Sequence, residues 1–188
     1  MKIGELLDKI RALYVERLEI NIKEEGEKYK IYPEPAMLNS DGVAVRSGEL
    51  ISSPNRMDIV SVNENIQTNI SVDSSSQISF ANLSFNWSDK LLIKLAPFTW
   101  DNVQVNVTGL QLDSPNWSHI ENWFLKAFEE KPSGHLSHCA HFISDPSIAE
   151  SGWDFVVDLG SASVTEFENL LDSCEKAGFT DVSIGVRV

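Results

Sequence analysis

The most regular pattern of apolar and polar positions lies in the last third of the chain. Apolar side chains occupy alternate positions over 153–159, which predicts a β-strand with one buried face. They recur every three or four positions over 167–177, and this spacing predicts a helix. Ser163 stands three residues before Glu166, which predicts a capping box at the start of that helix. Alternation over 182–188 predicts a last strand.

The preceding stretch repeats the same order of elements. Alternating valines over 103–107 predict a strand, an apolar stripe over 120–128 predicts a helix, and 136–143 reads as a second strand. Two strand–helix–strand units in series make the β-α-β-β-α-β order of a ferredoxin-like fold. The predicted fold class is therefore α+β, with a ferredoxin-like C-terminal unit over 103–188 that carries both helices on one face of an antiparallel sheet.

Residues 1–102 predict a helix and a β-rich meander that pack on this unit. Apolar residues over 3–18 follow helical spacing, and the charged turn within 20–32 predicts a short hairpin. We expect 1–188 to be a single domain with the subregions 1–102 and 103–188, because no linker composition separates them. The meander is predicted from four candidate strands, over 59–62, 66–72, 78–87 and 91–98.

The composition predicts a cytoplasmic location. With 42% hydrophobic residues among 188, the chain can build a sizeable core, yet no apolar run reaches the roughly 18 residues of a membrane span. Charged residues interrupt the N-terminus, so a signal peptide is not expected. Only Cys139 and Cys174 are present, without a CxxC motif, which argues against a disulfide framework and favours a reducing cytosol.

The net charge of −13 is unevenly distributed. Residues 103–188 hold four Lys or Arg and thirteen Asp or Glu, a net charge of −9, whereas residues 1–31 are neutral. Such a charge repels phosphate backbones and disfavours nucleic acid as a partner, and it would attract a basic protein. Solubility alone also explains a negative charge.

Three of the four histidines and one cysteine lie within residues 135–141. On the predicted strand, His135, Cys139 and His141 share one face, and imidazole and thiolate are good zinc or copper ligands. A metal site is therefore one hypothesis for this cluster. Its spacing matches no metal motif, and an exposed edge strand can carry histidines without any chemical role.

The polar face of the predicted sheet is the candidate site for a protein partner. Alternation places Gln104, Asn106, Asp154, Asp158 and Arg187 on the face away from the helices. Asp154 and Asp158 are roughly 13 Å apart by strand rise, which is too far for the paired carboxylates of glycoside hydrolysis. Nucleotide-binding, nucleophile-elbow and HExxH motifs are absent, so we predict no cofactor, and the sequence favours a non-enzymatic protein over an enzyme without deciding between them.

The segment 155–185 resembles small cytosolic bacterial immunity proteins, which neutralise a toxin by binding it. The residues that carry the resemblance form three runs, Asp158-Leu159-Gly160-Ser161-Ala162, Phe167-Glu168-Asn169-Leu170-Leu171 and Ala177-Gly178-Phe179. It implies a non-enzymatic acidic protein that inhibits a basic protein partner. Two alternatives stay open, a metal-dependent protein that uses the 135–141 cluster and a component that self-associates through its N-terminal helix or meander.

Overall fold

The computed structural model describes residues 2–73, 77–109, 115–131, 134–150 and 152–185. Within them the chain forms three helices and twelve strands. The helices are α1 (Ile3–Gly26), α2 (Ser118–Phe128) and α3 (Val164–Lys176). The strands are β1 (Lys30–Pro33), β2 (Arg46–Ser47), β3 (Ser53–Pro54), β4 (Ile59–Asn63), β5 (Ile66–Ile70), β6 (Leu83–Asn86), β7 (Leu92–Leu95), β8 (Val103–Gly109), β9 (Phe142–Ile143), β10 (Ser147–Ala149), β11 (Gly152–Asp158) and β12 (Phe179–Ile184). The predicted α+β class is confirmed.

The largest sheet has seven strands in the described part of the chain, in the order β10-β11-β8-β12-β7-β6, with β9 beside β11. The neighbours β12-β8-β11-β9 are all antiparallel, whereas β12 and β7 run parallel. The last two meander strands, β6 and β7, thus extend the sheet of the C-terminal unit. The first two, β4 and β5, form a separate three-stranded sheet with β1.

Helices α2 and α3 contact each other and cover one face of the large sheet. Trp117 precedes α2, and its ring lies 6.2 Å from Phe155 of β11 and 5.5 Å from Phe179 of β12. Phe167 of α3 stacks on Trp100, just before β8. The alternation that was read from the sequence therefore points the apolar side chains of β8 and β11 toward the helices.

The predicted hairpin over 20–32 is wrong. Helix α1 runs on to Gly26, so only β1 follows the turn. Ile20 and Ile22 suggested a strand because they are β-branched, but Leu6, Ile10, Tyr14 and Leu18 lie one turn apart on a single buried stripe. That stripe packs α1 against α3, β1 and β4.

Two local predictions at the C-terminal unit are also wrong. The segment 136–143 is a strand only at β9, and the run Cys139, Ala140 and His141 is buried without alternation. Ser163 does cap α3, but its side chain makes no capping bond, because the Glu166 amide donates to the Ser163 carbonyl instead. The Glu166 carboxylate pairs with Lys131 and does not reach back to the cap. No helix in the described residues combines the length and apolar character needed to cross a bilayer.

A buried carboxylate–histidine centre as the candidate functional site

His141 lies at the centre of a buried cluster of charged side chains. Its Nδ1 is 3.0 Å from Oδ1 of Asp58 and its Nε2 is 2.8 Å from Oε1 of Glu34. The histidine side chain is 1% exposed and Glu34 is equally inaccessible. Both ring nitrogens can donate to a carboxylate only when the ring carries its second proton, so this geometry holds an imidazolium between two anions.

The two carboxylates are fixed by further hydrogen bonds. Glu34 follows β1 in the left-handed region, with φ of 48°, and its Oε2 accepts a 2.6 Å bond from the Ser137 amide. Asp58 precedes β4 and accepts a 2.5 Å bond from the Tyr14 hydroxyl and a 2.6 Å bond from the Val72 amide. Buried carboxylates that are this well solvated by donors remain charged.

Burial and hydrogen bonding shift the pKa values of the centre in opposite directions. Burial lowers the pKa of His141, but its bonds to Asp58, Cys139 and Glu34 and the charge of Asp158 outweigh this, so the pKa lies well above its usual value. Burial raises the pKa values of Glu34 and Asp58, but the bonds to His141 outweigh it and both pKa values are lowered. Burial raises the pKa of Asp158 to about 7.

Gly160 closes the centre over the imidazole ring. Its φ is +49°, and a Cβ at this position would lie 2.3 Å from Cδ2 and 2.4 Å from Nε2 of His141. The adjacent Ser161 amide donates to Glu34 at 3.2 Å. The turn after β11 therefore needs a glycine for two reasons, the left-handed backbone and the close approach to the ring.

The structure brings together two of the three predicted metal ligands. One ligand atom each from Glu34, Cys139 and His141 lies within 4.8 Å of the others, and all three residues are buried. His135 is instead 61% exposed, with Nε2 3.5 Å from a carboxylate oxygen of Glu19. It lies apart because the segment is no strand, so alternation does not align its side chains.

The predicted partner-binding residues divide into two groups. Gln104, Asn106 and Asp154 lie on the sheet face opposite the helices, where Asn106 Nδ2 donates to Asp154 at 2.8 Å. Asn106 is buried, Gln104 is half-buried and Asp154 is exposed. Asp158 lies at the margin of the buried centre, with Oδ2 3.8 Å from His141 Nδ1, where its side chain is 24% exposed but still largely removed from water. Arg187 lies outside the described residues.

Sequence reasoning missed Tyr14, Glu34 and Asp58. Each is a single polar residue in an amphipathic or turn-rich segment, and nothing local distinguishes it from a solvated side chain. Asp58 and Glu34 are 83 and 107 residues away from His141 along the chain. Only the tertiary fold brings them together. No family model, no curated protein and no solved structure matches this chain.

Proposed function

We propose that this protein is a non-enzymatic binding protein whose partner is a basic protein. The observation that supports it is the exposed outer strand of the large sheet, β10, which lies in the most acidic part of the chain. Ile148 at the centre of β10 is 80% exposed. Isolated exposed apolar residues are common, but one on an open sheet edge is a favourable point for strand addition.

The edge offers both backbone and side-chain contacts to an extended segment. Within the described residues β10 pairs only with β11, so its other side is open. Ile148 lies opposite Trp153, and Ser147 lies opposite the exposed Asp154. A partner strand beside β10 would gain main-chain hydrogen bonds, an apolar contact on Ile148 and a carboxylate for a Lys or Arg.

The charge around this edge supports a basic partner. The sequence has no lysine or arginine between residues 132 and 175, whereas eight Asp or Glu occur there. Strands β9, β10 and β11 all lie in that range. A cationic segment would therefore meet carboxylates but no lysine or arginine on these three strands, and this attraction raises its association rate.

The proposal extends to the fold plan and the biological class. The antiparallel order β12-β8-β11-β9, with α2 and α3 on one face, supports a ferredoxin-like plan with β6, β7 and β10 added at its edges. A toxin-neutralising role of the immunity-protein kind would fit an acidic binding edge. Two free, buried cysteines support a reducing, cytosolic location.

The test is capture of a partner with tagged protein at moderate salt, comparing Ile148→Lys with Ile66→Lys. Ile66 starts β5 in the other sheet and is 68% exposed, so it controls for a new surface lysine. Ile148→Lys places a positive charge where the partner docks. We expect it to weaken binding of the captured protein by about a hundredfold, as an interface hot spot does, with Ile66→Lys unchanged.

An acidic captured protein, or equal binding by both variants, would refute the proposed edge. Failure to capture any specific partner at moderate salt would count against the function itself. Light scattering of the purified chain adds a further outcome. A concentration-dependent dimer that Ile148→Lys abolishes would show that β10 pairs with a second copy, as in a self-associating protein, and not with a basic partner.

A specific geometry favours a second candidate function, binding of a divalent metal at Glu34, Cys139 and His141. Carboxylate, thiolate and imidazole are all zinc ligands, and tetrahedral bonds of about 2.0–2.3 Å place ligand atoms about 3.3–3.8 Å apart. Asp58 at Nδ1 would orient the ring, as carboxylates commonly do for histidine ligands. Such an ion would replace the proton between Nε2 and Glu34, and its burial suits a structural role.

The metal content of the purified protein tests this second candidate. After expression with added zinc, we expect about one zinc per chain, which Cys139→Ser strongly reduces. Cys174→Ser removes the other buried cysteine and His135→Ala removes the exposed histidine, so both should keep the metal. Metal-free protein whose thermal midpoint does not respond to zinc would exclude the site.

A further inference from the structure

A polar groove of about 610 Å³ lies between α2 and α3. It is on the helix-covered side of the large sheet, opposite the sheet's polar face. Its volume is within the range of small-molecule sites, roughly 300–1,000 Å³. The wall from α2 includes His119, Asn122 and Lys126, and the wall from α3 includes Asn169 and Lys176. Trp123 is buried beneath them, with its indole nitrogen 2.9 Å from the Glu166 carbonyl.

The groove collects the lysines of an otherwise acidic region. Residues 103–188 contain four Lys or Arg in total, and three of them, Lys126, Lys131 and Lys176, line this groove. The fourth, Arg187, lies outside the described residues. Two carboxylates, from Glu129 and Glu166, also line it, so three lysines against two acids give a net charge of +1. The whole region carries −9.

One of the two carboxylates is already engaged. Glu166 is buried, and its oxygens accept bonds from Lys131 Nζ and, at 3.2 Å, from Asn169 Nδ2. Lys126 and Lys176 form no salt bridge with any described residue. Both side chains are exposed and line the groove, one from each helix. Each can therefore contact an anionic ligand without first breaking an internal ion pair.

We propose that the α2–α3 groove binds a small molecule that carries phosphoryl groups. Lysine ammonium groups are point charges that suit phosphate oxygens, and the amide groups of Asn122 and Asn169 can bond the less charged part of the ligand. A nucleic acid is disfavoured as the source of the phosphate, because the chain as a whole carries −13 and would repel a long polyanion. The groove is separate from the β10 edge, so this site does not depend on the proposed protein partner.

Calorimetric titration with pyrophosphate at low ionic strength tests the site. We expect saturable binding, weakened about tenfold by the double variant Lys126→Gln/Lys176→Gln, the size of one charge-assisted contact. Lys9→Gln on the exposed face of α1 is the matched control and should bind as the unchanged protein does. All variants should keep the same thermal midpoint, because these side chains are exposed.

Three results would overturn the proposal. The first is absence of saturation up to roughly 10 mM pyrophosphate, an affinity too weak for a site. The second is an equal loss in Lys9→Gln, which would indicate non-specific attraction. The third is tighter, lysine-dependent binding of a single-stranded oligonucleotide, which would make the groove part of a nucleic-acid surface. Ile148→Lys should leave pyrophosphate binding unchanged. A failure of the proposed protein-binding role of β10 can therefore be distinguished from a failure of the proposed ligand site in the groove.

Discussion

His141 separates two buried carboxylates that would otherwise repel each other. With Glu34 on one ring nitrogen and Asp58 on the other, the imidazolium balances one of their two charges and satisfies one acceptor on each. Buried ion pairs are modest stabilisers as a whole, but removal of one member leaves an uncompensated charge in the core. The loss of stability on removing this side chain is therefore expected to exceed the net stabilisation that the intact ion pairs provide.

We predict that His141→Ala lowers the free energy of unfolding by about 3–5 kcal/mol, the range for a broken buried pair. Tyr14→Phe should lower it by about 1.5–3 kcal/mol, because it removes one hydrogen bond to the charged Asp58. Urea denaturation measures both. His135→Ala, at an exposed position, should stay within about 0.5 kcal/mol of the parent. A His141→Ala protein as stable as His135→Ala would show that the centre is not structural.

At the scale of elements, Asp145 fastens one segment to another. In the loop between β9 and β10, its carboxylate accepts bonds from the amides of Glu49 at 2.6 Å and Ile51 at 2.8 Å, between β2 and β3. Gly48 takes φ of +108° beside it, and a Cβ there would lie 2.6 Å from the Asp145 carboxylate. These hydrogen bonds to the Asp145 carboxylate hold the small β2–β3 hairpin against the large sheet.

This attachment should depend on pH. Burial raises the pKa of Asp145, but the bonds from the three amides of Glu49, Ile51 and Leu50 outweigh it and the pKa is lowered. A folded pKa below the unfolded value means that the stabilisation is fully present above about pH 4 and is lost as the pH falls through the folded pKa. Because water screens this carboxylate and the asparagine oxygen can still accept one of the bonds, Asp145→Asn should cost about 0.5–1 kcal/mol at pH 7.

The pH profile of this difference is the measurement. Urea unfolding of the parent and of Asp145→Asn should give free energies that converge as the pH drops below 4, because the parent residue is then neutral as well. Asp41→Asn, at an exposed position in the same region, provides the matched control and should show no such convergence. A constant difference across the whole pH range would contradict the role of the ionised carboxylate.

Elements with strong periodicity were predictable from the sequence, and those shaped by distant contacts were not. Strands β8 and β11 and helices α2 and α3 appear where the apolar spacing placed them. The last strand, β12, begins earlier than predicted and overlaps the predicted range 182–188 only as far as Ile184, and residues 186–188 lie outside the described part of the chain. The strand predicted over 136–143 was wrong because its residues are buried by packing around His141 and not by pairing in the sheet. The backbone is not extended there, since His138 has a φ of +51°. Local alternation has no meaning where the backbone is not extended.

At the scale of the whole molecule, the sequence did not reveal how the first half joins the second. The parallel pairing of β7 with β12 links residues about 90 positions apart, and no turn chemistry specifies such a partner. The same limit applies to the candidate site, since the sequence indicated Cys139 and His141 but not the carboxylate that faces them. The net charge, by contrast, is a sum over residues that needs no knowledge of the fold. The acidic character of the last third could therefore be read from the sequence alone.

The centre around His141 also constrains the order in which a nascent chain can fold. Glu34 and Asp58 leave the ribosome early, yet the histidine and the Ser161 amide that neutralise and bond them emerge 83 to 127 residues later. Until then, the residue after β1 and the residue before β4 are carboxylates without their counter-ion. Contacts between residues this far apart in the sequence form late and slowly. The amino-terminal third can therefore complete its tertiary contacts only after most of the chain has been synthesised.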